Sequence, residues 1–420
     1  MNRTRLAATR RDRLRIGGAL GIAWALAAAA PAAAQISLVD RSSFQLDLTG
    51  YVRTLTGIHD AGYDLPGATR ITGFHGAVTR LKWTLTVPDR GVLTVHQRIL
   101  ASLTTSGASP VAGFGVSRTP GRAVDLSSPW IEEDRLSVMH DFDRLALTMY
   151  TPLADVTVGR QAVSWGTSSL FPVADLWSTF SPFELDTEEK PGIDAIRALG
   201  YPWPGVEVDA IVADRGSDGT SAGARVSASL ADWELWAGGG KLWNEAMAMV
   251  GVSYVGGVAS IRGEAVLARD TDAGETLDPR ATLGMDFLGT TITFSAEYHY
   301  NGLGATDAGE YGARLLSPAF ARGETYFLGR HYLGAVASVS PDAQNRLNLT
   351  ASVLANLRDG SLSLTPVATY DFGRSARVSV GALVSTGDPP IIESASPLPR
   401  LRSEFGSYGE LGFLRVSVYF

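Results

Sequence analysis

The residues best suited to chemistry are charged side chains around a Gly-Arg-Gln sequence and the long acidic segment after it. Gly159, Arg160 and Gln161 end a short stretch of alternating residues, and the segment 166–204 then carries six acidic residues against two basic ones. Such groups, held close together beside water, bind and sort charged solutes. The sequence therefore predicts recognition of charge along a water-filled passage.

Covalent chemistry has little support in the sequence. There is no cysteine, which excludes disulfides, thiolate metal sites and thiol nucleophiles. No serine-hydrolase, zinc-protease or phosphate-loop motif occurs, and the six histidines match no metal-binding spacing. We expect no enzyme, no metal and no cofactor. A membrane hydrolase that assembles Ser and His from neighbouring strands is the alternative left open.

The first 34 residues have the composition of a signal peptide. Six arginines precede an apolar stretch from 16 to 30, and three alanines at 32–34 offer a cleavage site. Its removal would leave one domain, 35–420, with 30 Lys and Arg against 42 Asp and Glu. This negative excess argues against nucleic acid as a partner.

The elements that position the charges are predicted to be membrane-spanning strands. No later segment holds about 20 consecutive apolar residues, so no transmembrane helix is expected. Segments of about ten residues instead alternate apolar with polar and end at turns. In 291–300 the apolar face carries Ile292 and Phe294, whereas Glu297 lies on the other face. The sequence predicts an all-β, closed antiparallel transmembrane β-barrel of about 16 strands, with 14 to 18 allowed.

The end of the chain supports the same fold. Residues 411–420 alternate and close on Phe420, which resembles the terminal signal of Gram-negative outer-membrane barrels. We expect the outer membrane of a Gram-negative bacterium, recognition of Phe420 by the outer-membrane insertion machinery, and contact with the lipid bilayer and lipopolysaccharide. The oligomeric state is left open, a homotrimer included.

Basic side chains dominate the face predicted to line the lumen, although the chain as a whole is acidic. The predicted lumen wall contains Arg53, Arg80, Lys82, Arg98, Arg225, Glu297, Arg346, Arg377 and Arg415.

The segment 166–204 is too apolar to extend into solvent, and we expect it to fold into the lumen as a constriction or plug. An extracellular cap is the alternative. Within it, 191–197 is predicted to form a short helical turn. A bulge at Gly159 is predicted, because Arg160 otherwise shares a face with two valines. The predicted constriction comprises Arg160, Gln161, Asp175, Glu184, Asp186, Glu188, Asp194 and Arg197.

These residues carry a family resemblance. Gly159-Arg160-Gln161 at the end of a strand, Trp165-Gly166, and the acidic, proline-containing 186–197 resemble Gram-negative porin-like barrels distantly related to the alginate-export type. The resemblance implies an outer-membrane channel for passive, charge-sorted passage of small hydrophilic solutes, anionic or saccharide. The alternative is an outlet or scaffold for a polysaccharide or lipid export system.

Overall fold

Antiparallel β-structure dominates the computed structural model, which describes residues 36–64, 69–105, 121–178, 188–342, 344–392 and 399–420. The predicted signal peptide, residues 1–34, and the predicted constriction residues Glu184 and Asp186 lie outside the described residues. No helix in the described ranges is long and apolar enough to cross a membrane. The strands are β1 (Ile36–Arg41), β2 (Phe44–Asp60), β3 (Ile71–Val87), β4 (Gly91–Thr104), β5 (Ser127–Glu133), β6 (Leu136–Tyr150), β7 (Asp155–Gln161), β8 (Ile193–Trp203), β9 (Val206–Asp214), β10 (Thr220–Leu230), β11 (Trp233–Leu242), β12 (Glu245–Gly256), β13 (Ala259–Asp270), β14 (Arg280–Leu288), β15 (Ile292–Asn301), β16 (His331–Val339), β17 (Leu347–Asn356), β18 (Leu362–Phe372), β19 (Ala376–Thr386) and β20 (Glu410–Tyr419), and two short helices are α1 (Tyr311–Leu315) and α2 (Pro318–Ala321).

Eighteen of these strands form one closed ring. Each pairs with two antiparallel neighbours, and the pairing of β2 with β20 closes the circle. The other two strands lie outside the ring, β1 against β2 and β5 against β6. The predicted closed antiparallel barrel is confirmed. The expected 16 strands were too few, although 18 lies within the allowed range.

Closure at the chain ends satisfies backbone groups that would otherwise be exposed at a sheet edge. The Gly50 N–H donates to the carbonyl of Phe420 (2.7 Å), and the Phe420 N–H donates back to the carbonyl of Gly50 (3.0 Å). Towards the start of β2, β1 takes over the pairing with β2 from β20. A spanning sheet must have no free edge in hydrocarbon, because an unsatisfied backbone group there costs several kcal/mol.

The alternation of the sequence places apolar side chains outside and polar ones inside. On β15, Ile292 is 52 % exposed and Phe294 is 38 % exposed, whereas Glu297 is 1 % exposed. On β20, Leu414 lies outside and Phe413 lies inside. The outer face is thus an apolar belt of the kind that meets lipid.

The segment after Gln161 is shorter than predicted, because β8 begins at Ile193. The predicted helical turn at 191–197 was wrong: residues 193–197 pair with β7 on one side, and 194–197 pair with β9 on the other. The two ladders supply hydrogen bonds that one turn of helix could not. The connecting segment is therefore 162–192.

The two ends of the barrel differ in their connections. Long connections at 61–70, 105–126, 162–192, 302–330 and 387–409 share one end, and the other end carries tight turns and the chain terminus at Phe420. In outer-membrane barrels the long loops are extracellular and the short turns periplasmic. The end with the long connections is therefore called extracellular and the other end periplasmic.

Candidate functional site

Segment 162–178 lies against inward-facing side chains of the ring. Trp165 and Trp177 are completely buried and meet edge to face with their ring centroids 5.2 Å apart. They pack in one apolar cluster with inward residues of β8 to β13, including Ile211 and Met249. The Trp165 Nε1–H also donates to Asp209 Oδ2 on β9 (2.7 Å). This packing accounts for the apolar composition of the segment.

Two wall carboxylates hold the backbone of the segment. Glu264 on β13 accepts the N–H groups of Thr167 (2.6 Å), Ser168 (3.3 Å) and Ala174 (3.1 Å). Glu297 on β15 accepts three more N–H groups, from Ser169 (2.7 Å), Leu170 (3.0 Å) and Phe171 (2.9 Å). Both carboxylates are buried. Six backbone donors thus depend on two side chains.

The end of the same segment contacts a different part of the wall. Glu188 pairs with Arg53 on β2, and Glu189 pairs with Lys82 on β3. Burial alone would raise the pKa of Glu189, but the Lys82 hydrogen bond and charge lower it below its ordinary value. Segment 162–192 therefore contacts both the β9–β15 wall and the β2–β3 wall.

Within the segment, Asp175 and Lys190 form an internal ion pair. The Ser164 hydroxyl also donates to Asp175 Oδ2 (3.1 Å). Burial raises the pKa of Asp175 to about 6 in spite of this cation. The pair joins the two halves of the segment, one on each side of the undescribed residues 179–187.

An arginine cluster faces inward on the β3–β6 side, where Arg80, Arg98, Arg122 and Arg144 surround Asp141 and Asp143 on β6. Asp143 accepts from Arg80 (2.8 Å), Arg122 (2.8 Å) and Arg144 (2.7 Å). Asp141 accepts from Arg122 (3.1 Å) and from Arg98. Four guanidiniums thus face two carboxylates.

The two aspartates and Arg144 were missed in the sequence because β6 is irregular there. His96 pairs with Arg144 and Gln97 with Phe142, so Asp143 is an extra residue in β6. A bulge reverses the alternation of faces and places Asp141, Asp143 and Arg144 on the buried side together. Asp-Phe-Asp-Arg inside an otherwise apolar strand was the available signal.

Arg160 lies beside this cluster. Its Nε–H donates to Asp194 Oδ1 (2.8 Å), its second guanidinium nitrogen to Asp194 Oδ2 (2.9 Å), and its third to the carbonyl of Phe142 (2.9 Å). The predicted bulge at Gly159 was wrong, because β7 pairs continuously with both neighbours. Gly159 instead adopts φ 115°, which a residue with a side chain rarely does.

The structure distributes the other predicted constriction residues over different elements. Asp194 and Arg197 are strand residues of β8, and Arg197 pairs with Asp209 (2.7 Å). The Gln161 amide donates to backbone carbonyls, among them Ala195 (3.2 Å). Asp175 pairs with Lys190, Glu188 with Arg53, and Arg160 with Asp194.

Most of the predicted wall residues lie on the inward face. Arg225 pairs with Glu207 (2.8 Å) and donates to the carbonyl of Trp165 (3.2 Å). Arg415 donates to Ser379 Oγ (3.4 Å). Arg377 is exposed near the periplasmic end and pairs with Asp371 (2.6 Å). Arg346 was wrongly assigned to the wall: it is exposed in the turn before β17, because the alternation was extended one residue beyond the strand.

Another polar cluster joins the extracellular connections and centres on Glu404, which is 0 % exposed. Its carboxylate accepts the Leu328 N–H (3.0 Å), the Asn356 amide (2.9 Å) and the Tyr332 hydroxyl. Asp359 lies nearby and accepts the Glu404 N–H (2.9 Å). Burial outweighs these hydrogen bonds and raises the pKa of Glu404 to about 7.

The packing of these connections is expected to weaken as the pH rises from 4.5, the ordinary pKa of a glutamate, to about 7, the pKa of Glu404 in the folded protein. Because the folded state holds the Glu404 proton more tightly, this stability is fully present below pH 4.5 and is lost towards pH 7. The shift corresponds to roughly 3 kcal/mol. Hydrogen exchange of the Leu328 and Tyr408 amides, corrected for intrinsic rates, measures it. Glu404→Gln should abolish the dependence and Glu310→Gln, at an exposed site, should retain it; equal protection of the wild type at pH 5 and pH 8 contradicts the expectation.

Comparison with known proteins gives the class of the fold. No family model matches the chain, and no curated protein matches it either. Among solved structures it is similar to a BenF-like porin from Pseudomonas fluorescens Pf-5 (TM-score 0.57, 9% identity, 90% of this chain and 98% of that chain) and to Pseudomonas aeruginosa OccK9 (OpdG) (0.57, 9%, 89% and 97%). It is also similar to Pseudomonas aeruginosa OpdK, solved with vanillate (0.53, 10%, 89% and 98%).

At these identities the similarity concerns the fold. The fold is that of Gram-negative outer-membrane porins, and the predicted resemblance to porin-like barrels is confirmed.

Proposed function

We propose that this protein is an outer-membrane channel whose lumen is narrowed by segment 162–192 and which passes small hydrophilic anions. The contact of this one segment with both the β9–β15 wall and the β2–β3 wall carries the proposal. A cap lying on the extracellular loops would not need ion pairs with Arg53 and Lys82 deep in the strand wall.

Preference for anions follows from which charges keep contact with water. The side chains of Arg98 and Arg122 are 13 % and 14 % exposed, whereas those of Asp141 and Asp143 are 2 % and 0 % exposed. On the facing wall, Glu264 and Glu297 are covered by backbone N–H groups. A solute in the passage would meet guanidinium edges on one side and neutralised carboxylates on the other. OpdK, solved with an aromatic carboxylate, supports carboxylates as the solute class over saccharides. The likeness to alginate-export barrels stays a sequence resemblance.

The constriction is tested by deletion. Removing residues 168–187 and joining the ends with a short Gly-Ser linker leaves β7 and β8 intact, and single-channel conductance should rise severalfold. Deletion of 310–321, the extracellular segment that carries α1 and α2, is the control and should change conductance little. Unchanged conductance after the first deletion would exclude the constriction.

Charge selectivity is tested at Arg122, which lies in a connection and not in a ring strand. The zero-current potential in a KCl gradient should show preference for chloride, and Arg122→Gln should reduce the permeability ratio by about two- to threefold, since one fixed charge is lost from the passage. Arg377→Gln, which removes a charge at the periplasmic end, is the control and should reduce it less. A cation-preferring wild type would reject anion passage.

A plugged barrel serving a polysaccharide or lipid export system is the second candidate. The complete burial of Trp165 and Trp177 favours this second candidate, because a tightly packed segment would close the lumen and leave no passage for solutes. Liposome swelling separates the two: uptake of small anions supports the channel, and an inert barrel that conducts only after deletion of 168–187 supports the export role.

A further inference from the structure

Two cations lie on the outer surface of the barrel, where apolar side chains otherwise prevail. Within the ring strands, the outward-facing Lys and Arg residues are Lys241 on β11 and Arg269 on β13, and both are exposed. The other ring-strand cations face the lumen side, as the pairs of Arg225 and Arg262 illustrate. Lys241 is also one of only three lysines in the chain.

Strand register places the two cations at the same height. Lys241 is the partner of Ala246 on β12, and Ala246 is the partner of Arg269. With strands spaced about 4.8 Å apart, their Cα atoms are roughly 10 Å apart. The residue between them is alanine, so no side chain beyond Cβ fills the gap. The long flexible side chains of Lys241 and Arg269 can converge on one ligand above it.

Neither cation has a protein counter-ion in the part of the chain that the structure describes, within 4.0 Å. The nearest carboxylate in sequence, Asp270, is engaged elsewhere: it accepts the Asn244 amide (2.9 Å) and the N–H groups of Asp272 and Ala273 (both 2.8 Å). The charges of Lys241 and Arg269 are therefore available to an external anion.

The position of Lys241 and Arg269 along the membrane-spanning strands indicates which anion they would bind. Both residues lie at the extracellular ends of their strands, next to the 243–244 turn and the 271–279 connection. Towards the membrane centre, β11, β12 and β13 present Gly239, Ala248 and Leu267 outward. At this boundary between apolar belt and water, an ordered lipid places phosphates against cations and acyl chains against the smooth wall.

We propose that Lys241 and Arg269 form a binding site for the phosphate of lipid A, the phosphorylated glycolipid anchor of lipopolysaccharide, in the outer leaflet. The proposal concerns the outer face and is independent of the solute that the lumen passes. Each Lys or Arg beside an anionic lipid surface contributes about fivefold in affinity, so the pair should contribute roughly 25-fold.

The test uses the full refolded protein in detergent with purified bisphosphorylated lipid A, and bound lipid is measured by native mass spectrometry. The double variant K241Q/R269Q should lose roughly 25-fold in retention, and the single variant K241R should retain lipid as the wild type does. The control R346Q/R374Q removes two exposed arginines from the periplasmic turns and should bind normally.

Three results would overturn the proposal: unchanged retention in K241Q/R269Q, equal retention of dephosphorylated lipid A, or equal retention of phosphatidylglycerol by the wild type. Single-channel conductance of K241Q/R269Q should equal that of the wild type. A lipid-binding failure can therefore be told apart from a failure of the channel proposal.

Discussion

Replacing Glu264 and Glu297 together with glutamine is expected to release segment 162–178 from the wall and to raise the single-channel conductance about twofold, with frequent fluctuations between levels. The two carboxylates accept hydrogen bonds from six N–H groups. In the variant these N–H groups would face neutral amides, each of which offers one acceptor oxygen and repels donors with its NH₂ group. Hydrogen bonds to a charged group contribute about 1.5 to 3 kcal/mol each, so even partial loss weakens the docking of the segment by several kcal/mol.

The control for this experiment is Glu234→Gln, an isosteric change at an exposed acid of β11. It removes the same charge and should leave conductance and noise as in the wild type. Limited proteolysis provides a second measurement, because a released segment becomes a substrate for cleavage near Phe171. If the double glutamine variant keeps the wild-type conductance and resistance to protease, the packing of Trp165 and Trp177 suffices, and the carboxylates are not the anchors.

The barrel itself could be predicted because lipid and water impose a period of two on every regular strand. The faces of β15, β17 and β20 follow directly from alternation, and Ile292, Leu349 and Leu414 are exposed as this rule requires. The packing of the apolar segment against a wall could also be predicted, since exposure of a large apolar side chain such as Trp177 to water is unfavourable.

The strand count could not be obtained in the same way. β8 contains Pro202 and begins directly after Pro191 and Gly192, a combination that also suits a loop, and the whole strand lies within the segment 166–204 that was expected to be a loop. What makes Ile193–Trp203 a strand is its pairing with β7 and β9, which are partners that the local sequence does not encode. The expected count of 16 therefore omitted β8, whose strand conformation depends on its neighbours.

The charged site was predicted in part for a similar reason. Arg160 and its partner Asp194 were among the expected residues, but Asp141 and Asp143 were not, because a bulge in β6 moves them to the inward face. A single inserted residue reverses the alternation and leaves no mark on composition. Arg122, which lies in a connection, has no alternation from which a face could be inferred.

Substituting Arg160 with methionine is expected to cost about 3 to 5 kcal/mol of stability, the largest single-residue effect on folding that we predict. Arg160 is 1 % exposed, and its guanidinium makes two hydrogen bonds to Asp194 and others to the carbonyls of Phe142 and Val124. Removing it leaves the Asp194 carboxylate without its cation and two carbonyl groups without a donor. The measurement is urea-induced unfolding in lipid vesicles, followed by tryptophan fluorescence.

Arg377→Met is the matched control, since Arg377 pairs with Asp371 at the surface, with side chains 44 % and 31 % exposed. A solvent-exposed ion pair contributes at most about 1 kcal/mol, so this variant should unfold nearly as the wild type does. The double variant R160M/D194L should recover part of the loss, because the stranded carboxylate is removed with its partner. Equal destabilisation by R160M and R377M would show that the hydrogen bonds of Arg160 do not hold β6, β7 and β8 together. The two variants should differ greatly in lost stability because only the Arg160 pair is buried. Breaking an ion pair in water costs little stability, whereas at the junction of β6, β7 and β8 no water replaces the missing guanidinium.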